Sequence, residues 1–167
     1  VDTLEPPDTH YLAAALGWLE LGNPHEAKAE LAKISSDNAH HPDVLEISWR
    51  VFAEQNNWEA ALGVARSLVQ HYPQNANGWL HQAYSLRRTP DGGLAAAWEA
   101  LLPAADGFPQ EPTIPYNLAC YSCQLGNMEE ARKWFRIALD RGDKSRLKWM
   151  ALNDGDLKPL WEEIRQL

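Results

Sequence analysis

Cys120 and Cys123 stand as a C-x-x-C pair, the spacing used both by thiol–disulfide catalysts and by zinc sites. A redox pair of this kind needs a helix N-terminus, whose unpaired amides lower the thiol pKa, and these cysteines fall well inside a predicted helix. A structural zinc needs four ligands, and neither a second C-x-x-C nor a well-spaced histidine pair accompanies them. They are expected to be packing residues. The histidines, His10, His25, His40, His41, His71 and His81, are scattered and form no HExxH arrangement. Asp154-Gly155-Asp156 has the carboxylates of a calcium loop without the twelve-residue frame or its closing glutamate, so helix capping is the expectation. There is no Walker loop, no G-x-G-x-x-G and no nucleophile elbow. No metal, no cofactor and no enzymatic activity are expected.

The elements that carry these residues follow from a repeat. Ala27, Ala61, Ala97 and Ala131 recur at spacings of 34, 36 and 34 residues. A period near 34 with a small residue where two helices cross is the signature of a helical repeat array. Nine residues before each alanine stand Trp18, Phe52 and Ser122, with Leu86 in unit three once its two extra loop residues are allowed for. Three residues earlier lies a mostly small position, Ala15, Ala83 and Ala119, broken by Trp49. After the alanines, Leu31, Ala65, Leu101 and Phe135, then Ile34, Leu68, Ala104 and Ala138, continue an apolar face at helical spacing. Hairpins are predicted at about 9–22 with 24–36, 42–55 with 58–71, 76–88 with 92–106, and 113–125 with 128–141. Asn23 before Pro24 reads as an N-cap, Thr113 before Pro115 likewise, and Asn127-Met128-Glu129-Glu130 as a capping box. A short helix near 144–152 is expected to follow. Asp156 is then expected to cap a last helix whose apolar face is Leu157, Leu160, Trp161, Ile164 and Leu167, lying over the final hairpin as a lid. At least six of the eight tryptophans are expected inside, with Trp149 and Trp161 as the exceptions.

These units resemble the tetratricopeptide repeat (TPR). Tyr116-Asn117-Leu118-Ala119, Leu125-Gly126-Asn127 and Glu130-Ala131 through Phe135 to Ala138-Leu139 make the best match; Leu21-Gly22-Asn23 with Glu26-Ala27 repeats the turn, and Pro73 and Pro109 close units two and three. The resemblance covers residues 9 to 141, and the stretch from Ala151 to Leu160 is similar to the tail that ends many bacterial TPR groups. It implies an all-α fold, a right-handed superhelical array of about four helix-turn-helix hairpins plus a C-terminal capping helix. The organisation expected is a single domain, with an N-terminal extension at 1–8, the array at 9–141 (9–41, 42–75, 76–112 and 113–141), and a connecting segment with the capping helix at 142–167.

Charge narrows the partner classes. The first 63 residues carry 11 acidic and 3 basic side chains, so the whole formal charge of −8 resides there. A nucleic-acid binder needs a basic stripe, and the nearest approach, Arg141, Lys144, Arg146 and Lys148, is diluted by Asp140 and Asp143. No nucleic acid is expected. No apolar run is long enough to span a membrane, and no signal-peptide pattern opens the chain, so a cytoplasmic location and no membrane partner are expected. The first residue is Val1 rather than methionine, which leaves room for a longer protein around this sequence.

The resemblance places function on a concave surface formed by the first helix of each hairpin. Its positions fall on Leu12, Leu16, Leu19 and Glu20; on Glu46, Ile47, Arg50 and Glu54; on Asn77, His81, Tyr84, Arg87 and Arg88; and on Thr113, Tyr116, Asn117, Cys120 and Gln124. The groove is thus apolar at its start, and polar with aromatics toward its end. The partner-binding set is Arg50, Asn77, His81, Tyr84, Arg87, Arg88, Tyr116 and Asn117, with Tyr84 and Tyr116 as anchors and Arg50, Arg87 or Arg88 receiving carboxylates. The clamp that holds the C-terminal carboxylate of heat-shock chaperones is missing, since its places carry Leu12, Leu16, Asn77 and His81. The expected function is a non-enzymatic protein–protein interaction module taking a peptide or helix of a partner protein. The alternatives are a structural or self-association segment of a larger protein, as a homo-oligomer, and a small secretion-type chaperone. The competing use of the groove is that the terminal helix or the neighbouring hairpin fills part of it.

Overall fold

The computed structural model describes residues 3–167, and among these it is all-helical. The helices are α1 (Asp8–Glu20), α2 (Pro24–Leu31), α3 (Pro42–Glu54), α4 (Trp58–His71), α5 (Ala76–Leu86), α6 (Leu94–Leu101), α7 (Ala104–Gly107), α8 (Thr113–Gln124), α9 (Met128–Arg141), α10 (Lys144–Leu152) and α11 (Trp161–Gln166). Short 3-10 turns occupy Ser36–Asn38 and Gly155–Leu160. None of these helices is long and apolar enough to cross a membrane.

The chain divides into two compact units, the first ending at Thr89 and the second being Pro90–Leu167. The division runs through the loop of the third repeat, where the two extra residues lie. In the first unit α1 packs on α2, α3 on α4 and α5 on α4. In the second, α6 and α7 pack on α8, and α8 on α9.

The repeat alanines do what their size allows. Ala27, Ala61, Ala97 and Ala131 are fully buried, as are Ala15, Ala83 and Ala119. Where α1 packs on α2, α3 on α4 and α8 on α9, a methyl group lets the backbones approach, and larger residues fill the flanks: Leu19, Ile47 and Val51 in the first unit, Leu118, Phe135 and Leu139 in the second. Helices α4 and α5 come close at Gly78, where a Cβ would stand 3.1 Å from that of Leu68.

The turns within hairpins repeat as well. Gly22 and Gly126 adopt φ of 72° and 82°, and Asn56 adopts 54° at the same register of unit two. At each, the next amide reaches back to close the helix: Asn23 to the carbonyl of Trp18, Asn57 to Phe52 and Asn127 to Ser122, at 2.8–2.9 Å. Asn23 caps α2 by accepting from the Glu26 amide, with Pro24 in the first turn. The expected capping box at Asn127 does not form, since its side chain makes no cap bond. Thr113 is the first residue of α8 rather than its cap, Pro112 holding that place.

Several helices end sooner than expected. α2 stops at Leu31, and the carboxylate of Asp8, first residue of α1, accepts from the backbone amide and hydroxyl of Ser35 and from Asn38 Nδ2 (2.7 Å) in the 3-10 turn beyond it. These bonds, led by the Ser35 hydroxyl, hold the Asp8 carboxyl below its usual range. Pro103, which has no N–H, separates α6 from α7. At the C-terminus Asp154, not Asp156, is the cap, accepting from the Asp156 amide at 2.9 Å. Pro159 keeps the segment that follows in a 3-10 turn before α11 begins at Trp161. Leu157, Leu160 and Ile164 are buried as the apolar face requires, and Leu167 is exposed.

The tryptophans depart most from expectation. Trp134 alone is buried; Trp18 and Trp149 are exposed and the other five half-buried. The alanine-rich crossings leave little room for indoles, and several half-buried ones have their N–H groups tied: Trp79 to the Pro73 carbonyl, Trp98 to Ser122 Oγ, Trp161 to the Ala151 carbonyl.

Candidate functional site

On the first unit, the helices expected to line a groove, α1, α3 and α5, border two clefts. One, of about 490 Å³, lies against α1 and α3, with Leu4, Leu12, Leu16 and Ile47 as apolar lining and Asp43 and Glu46 beside them. The other, of about 510 Å³, is lined by Trp49, Arg50 and Glu54 of α3, Trp58 at the start of α4, and Tyr84 and Arg88 at the end of α5.

The second cleft is an assembly of rings held by specific contacts. His81 stacks on Trp49, centroids 3.6 Å apart and planes 10° from parallel. Its Nε2 stands 2.9 Å from Glu46 Oε1, while Trp49 Nε1 donates to the buried Ser85 hydroxyl at 3.0 Å. Tyr84 meets Trp49 edge-on at 5.9 Å and lies 5.7 Å from Trp58. The Arg88 guanidinium lies 3.4 Å above the Tyr84 ring and 5.1 Å from that of Trp58, and donates to the Tyr84 carbonyl. Glu46 joins the two clefts, lining the apolar one while bonding His81; its second carboxylate oxygen is buried and has no partner among the described residues.

The structure thus brings Arg50, Tyr84 and Arg88 together in one cleft, with His81 stacked on its Trp49 but lining neither cleft. Asn77, exposed in the first turn of α5, and Arg87, at the C-cap of that helix, lie outside both clefts. Tyr116 and Asn117 belong to the second unit, where the groove-facing side of α8 is occupied. Tyr116, expected as an exposed anchor, is 6 % exposed, because the chain after α10 packs over it. Its hydroxyl donates to Asp154 Oδ2 at 3.0 Å; Cys120 Sγ donates to the same oxygen at 3.6 Å, and Gln124 Nε2 to the Asp156 carbonyl. Burial, and after it the neighbouring Cys120 and Asp154, push the Tyr116 phenol above its ordinary value. Asn117 turns its amide back onto the Thr113 carbonyl. Arg132 of α9 clasps Glu163 of α11 with two bonds of 2.7 Å. The terminal segment therefore covers the side of α8 that was expected to line a groove.

Cys120 and Cys123 are both buried inside α8, and burial followed by the negative charge of Asp156 raises the Cys123 thiol, keeping it protonated. One carboxylate oxygen each of Asp154 and Asp156 lies within 4.8 Å of Cys120 Sγ and of the other. The hydrogen bonds of Asp154 to Tyr116, Cys120 and the Asp156 amide account for that grouping. A further cleft of about 590 Å³ lies against α6 and α9, lined by Trp98, Trp134 and Lys133, but its lysine is paired with Glu130 at 3.3 Å.

Sequence reasoning missed Trp49 and Trp58 as lining residues by assigning them to the core. A signal was present: Trp49 is the one residue that breaks the small position of the repeat.

Taken together, the described helices, their buried alanine crossings and their turns define a tetratricopeptide-type helical-repeat fold. The comparisons agree. A thermophilic TPR protein of Thermus thermophilus is similar at a TM-score of 0.72 and 17 % identity, over 94 % of this chain and 82 % of that one. MamA of MSR-1 gives 0.65 at 14 % identity, over 97 % of each chain. MamA of AMB-1 gives 0.64 at 15 %, over 96 % of this chain and 91 % of that one. No family model matches the chain. Among curated proteins, Bacteriophage adsorption protein A of Escherichia coli (strain K12) is 27 % identical over 97 residues, which is 58 % of this chain and 10 % of that protein. The chain thus spans about a tenth of that relative's length.

Proposed function

We propose that this chain is a non-enzymatic protein-interaction module that takes an extended segment or a helix of a partner protein on the α1, α3 and α5 face of its first unit. The observation that carries the reading is the open cleft in which Tyr84, Trp49 and Trp58 stand beside Arg50 and Arg88. Aromatic rings and arginines, pre-positioned by contacts of their own, are the residue types that dominate protein recognition, because they bring large contact area at small entropic cost. The adjoining apolar cleft offers a seat for aliphatic side chains. The TPR-type fold, common among interaction scaffolds, supports the same reading.

A random peptide library displayed against the chain tests it. Selected peptides should bind with affinities that fall on Tyr84→Ala, with helix content unchanged by circular dichroism. Unaltered binding to that variant refutes the reading. A second reading, a repeat segment within a larger protein, draws on the one-tenth span of the adsorption-protein match. It predicts self-association of the isolated chain, measured as a dimer by sedimentation that persists on dilution.

A further inference from the structure

The arginines of the aromatic cleft lack acidic partners, although their surroundings are rich in acid. Arg50 is exposed and makes no ion pair or hydrogen bond among the described residues. Arg88 spends one N–H on the Tyr84 carbonyl and lies over the Tyr84 ring, which leaves the rest of its five donors without a protein acceptor among the described residues. Glu54 lines the same cleft and pairs with neither. Lys33, by contrast, is tied to Glu30 at 2.8 Å. A guanidinium stacked on a ring is weakly hydrated and rigidly forked, which suits it to a carboxylate held side-on.

We propose that this cleft binds an isolated acidic side chain of a partner peptide, its carboxylate seated on Arg50 and Arg88 and a neighbouring apolar side chain packed against Trp58 and Tyr84. The proposal rests on the interaction-module reading and adds the partner's charge. Isolated carboxylates fit better than a polyanion. Glu54 within the cleft and the chain's net charge of −8 both repel a continuous phosphate backbone.

The test uses the full chain and dodecapeptides selected from a random display library, synthesised with a fluorophore and titrated by anisotropy at low salt. Proteins compared are the wild type, Tyr84→Ala, and the double variant Arg50→Gln/Arg88→Gln, each checked for helix content. The expected result is enrichment of Asp and Glu beside apolar residues, and a loss of roughly tenfold in affinity in the arginine variant. Replacing the acidic residues of the peptide by Asn and Gln should cost a similar factor on the wild type and nothing further on the variant. Selected peptides that lose affinity on Tyr84→Ala yet are neutral or basic, or ignore the arginine substitutions, overturn the acidic partner and leave the module reading standing. Peptides indifferent to all three substitutions, or no enrichment at all, overturn both. Tighter binding of an oligouridylate probe than of the acidic peptides also overturns the proposal.

Discussion

Asp154→Ala should destabilise the protein severely for a residue outside the regular helices. Its carboxylate accepts the Tyr116 hydroxyl, the Cys120 thiol and the Asp156 amide. Alanine would orphan the hydroxyl of a tyrosine only 6 % exposed, which costs about 1–3 kcal/mol. It would also remove the side-chain cap of the terminal turn, for about 0.5–2 kcal/mol. Together the loss is about 1.5–5 kcal/mol, a sizeable share of the roughly 5–15 kcal/mol that holds a domain folded. Tyr116→Phe removes a donor but leaves Asp154 two others, so it should cost only about 0.5–1.5 kcal/mol. Urea titrations followed by far-ultraviolet circular dichroism provide the comparison, through midpoints and slopes, for both single variants and the double variant. Because the Tyr116 bond is shared, Asp154→Ala should cost less in the Tyr116→Phe background, by roughly 1 kcal/mol. Strict additivity, or an Asp154→Ala variant within about 0.5 kcal/mol of wild type, would refute the reasoning.

Two further perturbations test the frame. Since bonding to Ser35 and Asn38 lowers the folded Asp8 pKa below the ordinary 3.8, its contribution is fully present above that value and lost as pH falls through the lower folded one. The stability gap between wild type and Asp8→Asn should be constant from neutrality down to about pH 4 and close below it; a gap unchanged at about pH 2.5 would count against the network. Gly142→Ala would bring a Cβ to 2.9 Å from both the Pro112 ring and Leu147 Cδ1, and should cost about 1–3 kcal/mol by thermal or urea unfolding. An unchanged midpoint would mean the contact relaxes freely.

The repeat made the helices legible because its alanines are a steric requirement written at a fixed spacing. Every one of those positions is buried. What the pattern hid lay where residues departed from it. Ser122 is a weak match at a position usually bulky, because the indole of Trp98 reaches it and uses its hydroxyl as acceptor. Trp49 breaks a small position because its ring faces His81 and Tyr84 in the cleft. Periodicity reports which face of a helix a residue occupies and is silent on whether another segment covers that face. Tyr84 and Tyr116 therefore looked equivalent as anchors, one being 39 % exposed and the other sealed by chain nearly forty residues downstream. Caps were legible where a side chain had one choice, as at Asn23. They were misread where two aspartates stood two residues apart, since either spacing satisfies the local pattern.

The terminal segment is addressed to individual side chains of the last hairpin. Asp154 answers Tyr116, the Asp156 carbonyl answers Gln124, and Glu163 answers Arg132. Helices α8 to α11 consequently form a matched cassette, a hairpin and the stopper cut to fit it. A designer lengthening the protein would insert new repeats upstream of this pair and leave it whole. Joining the same stopper to a different final repeat would supply the plug without its lock.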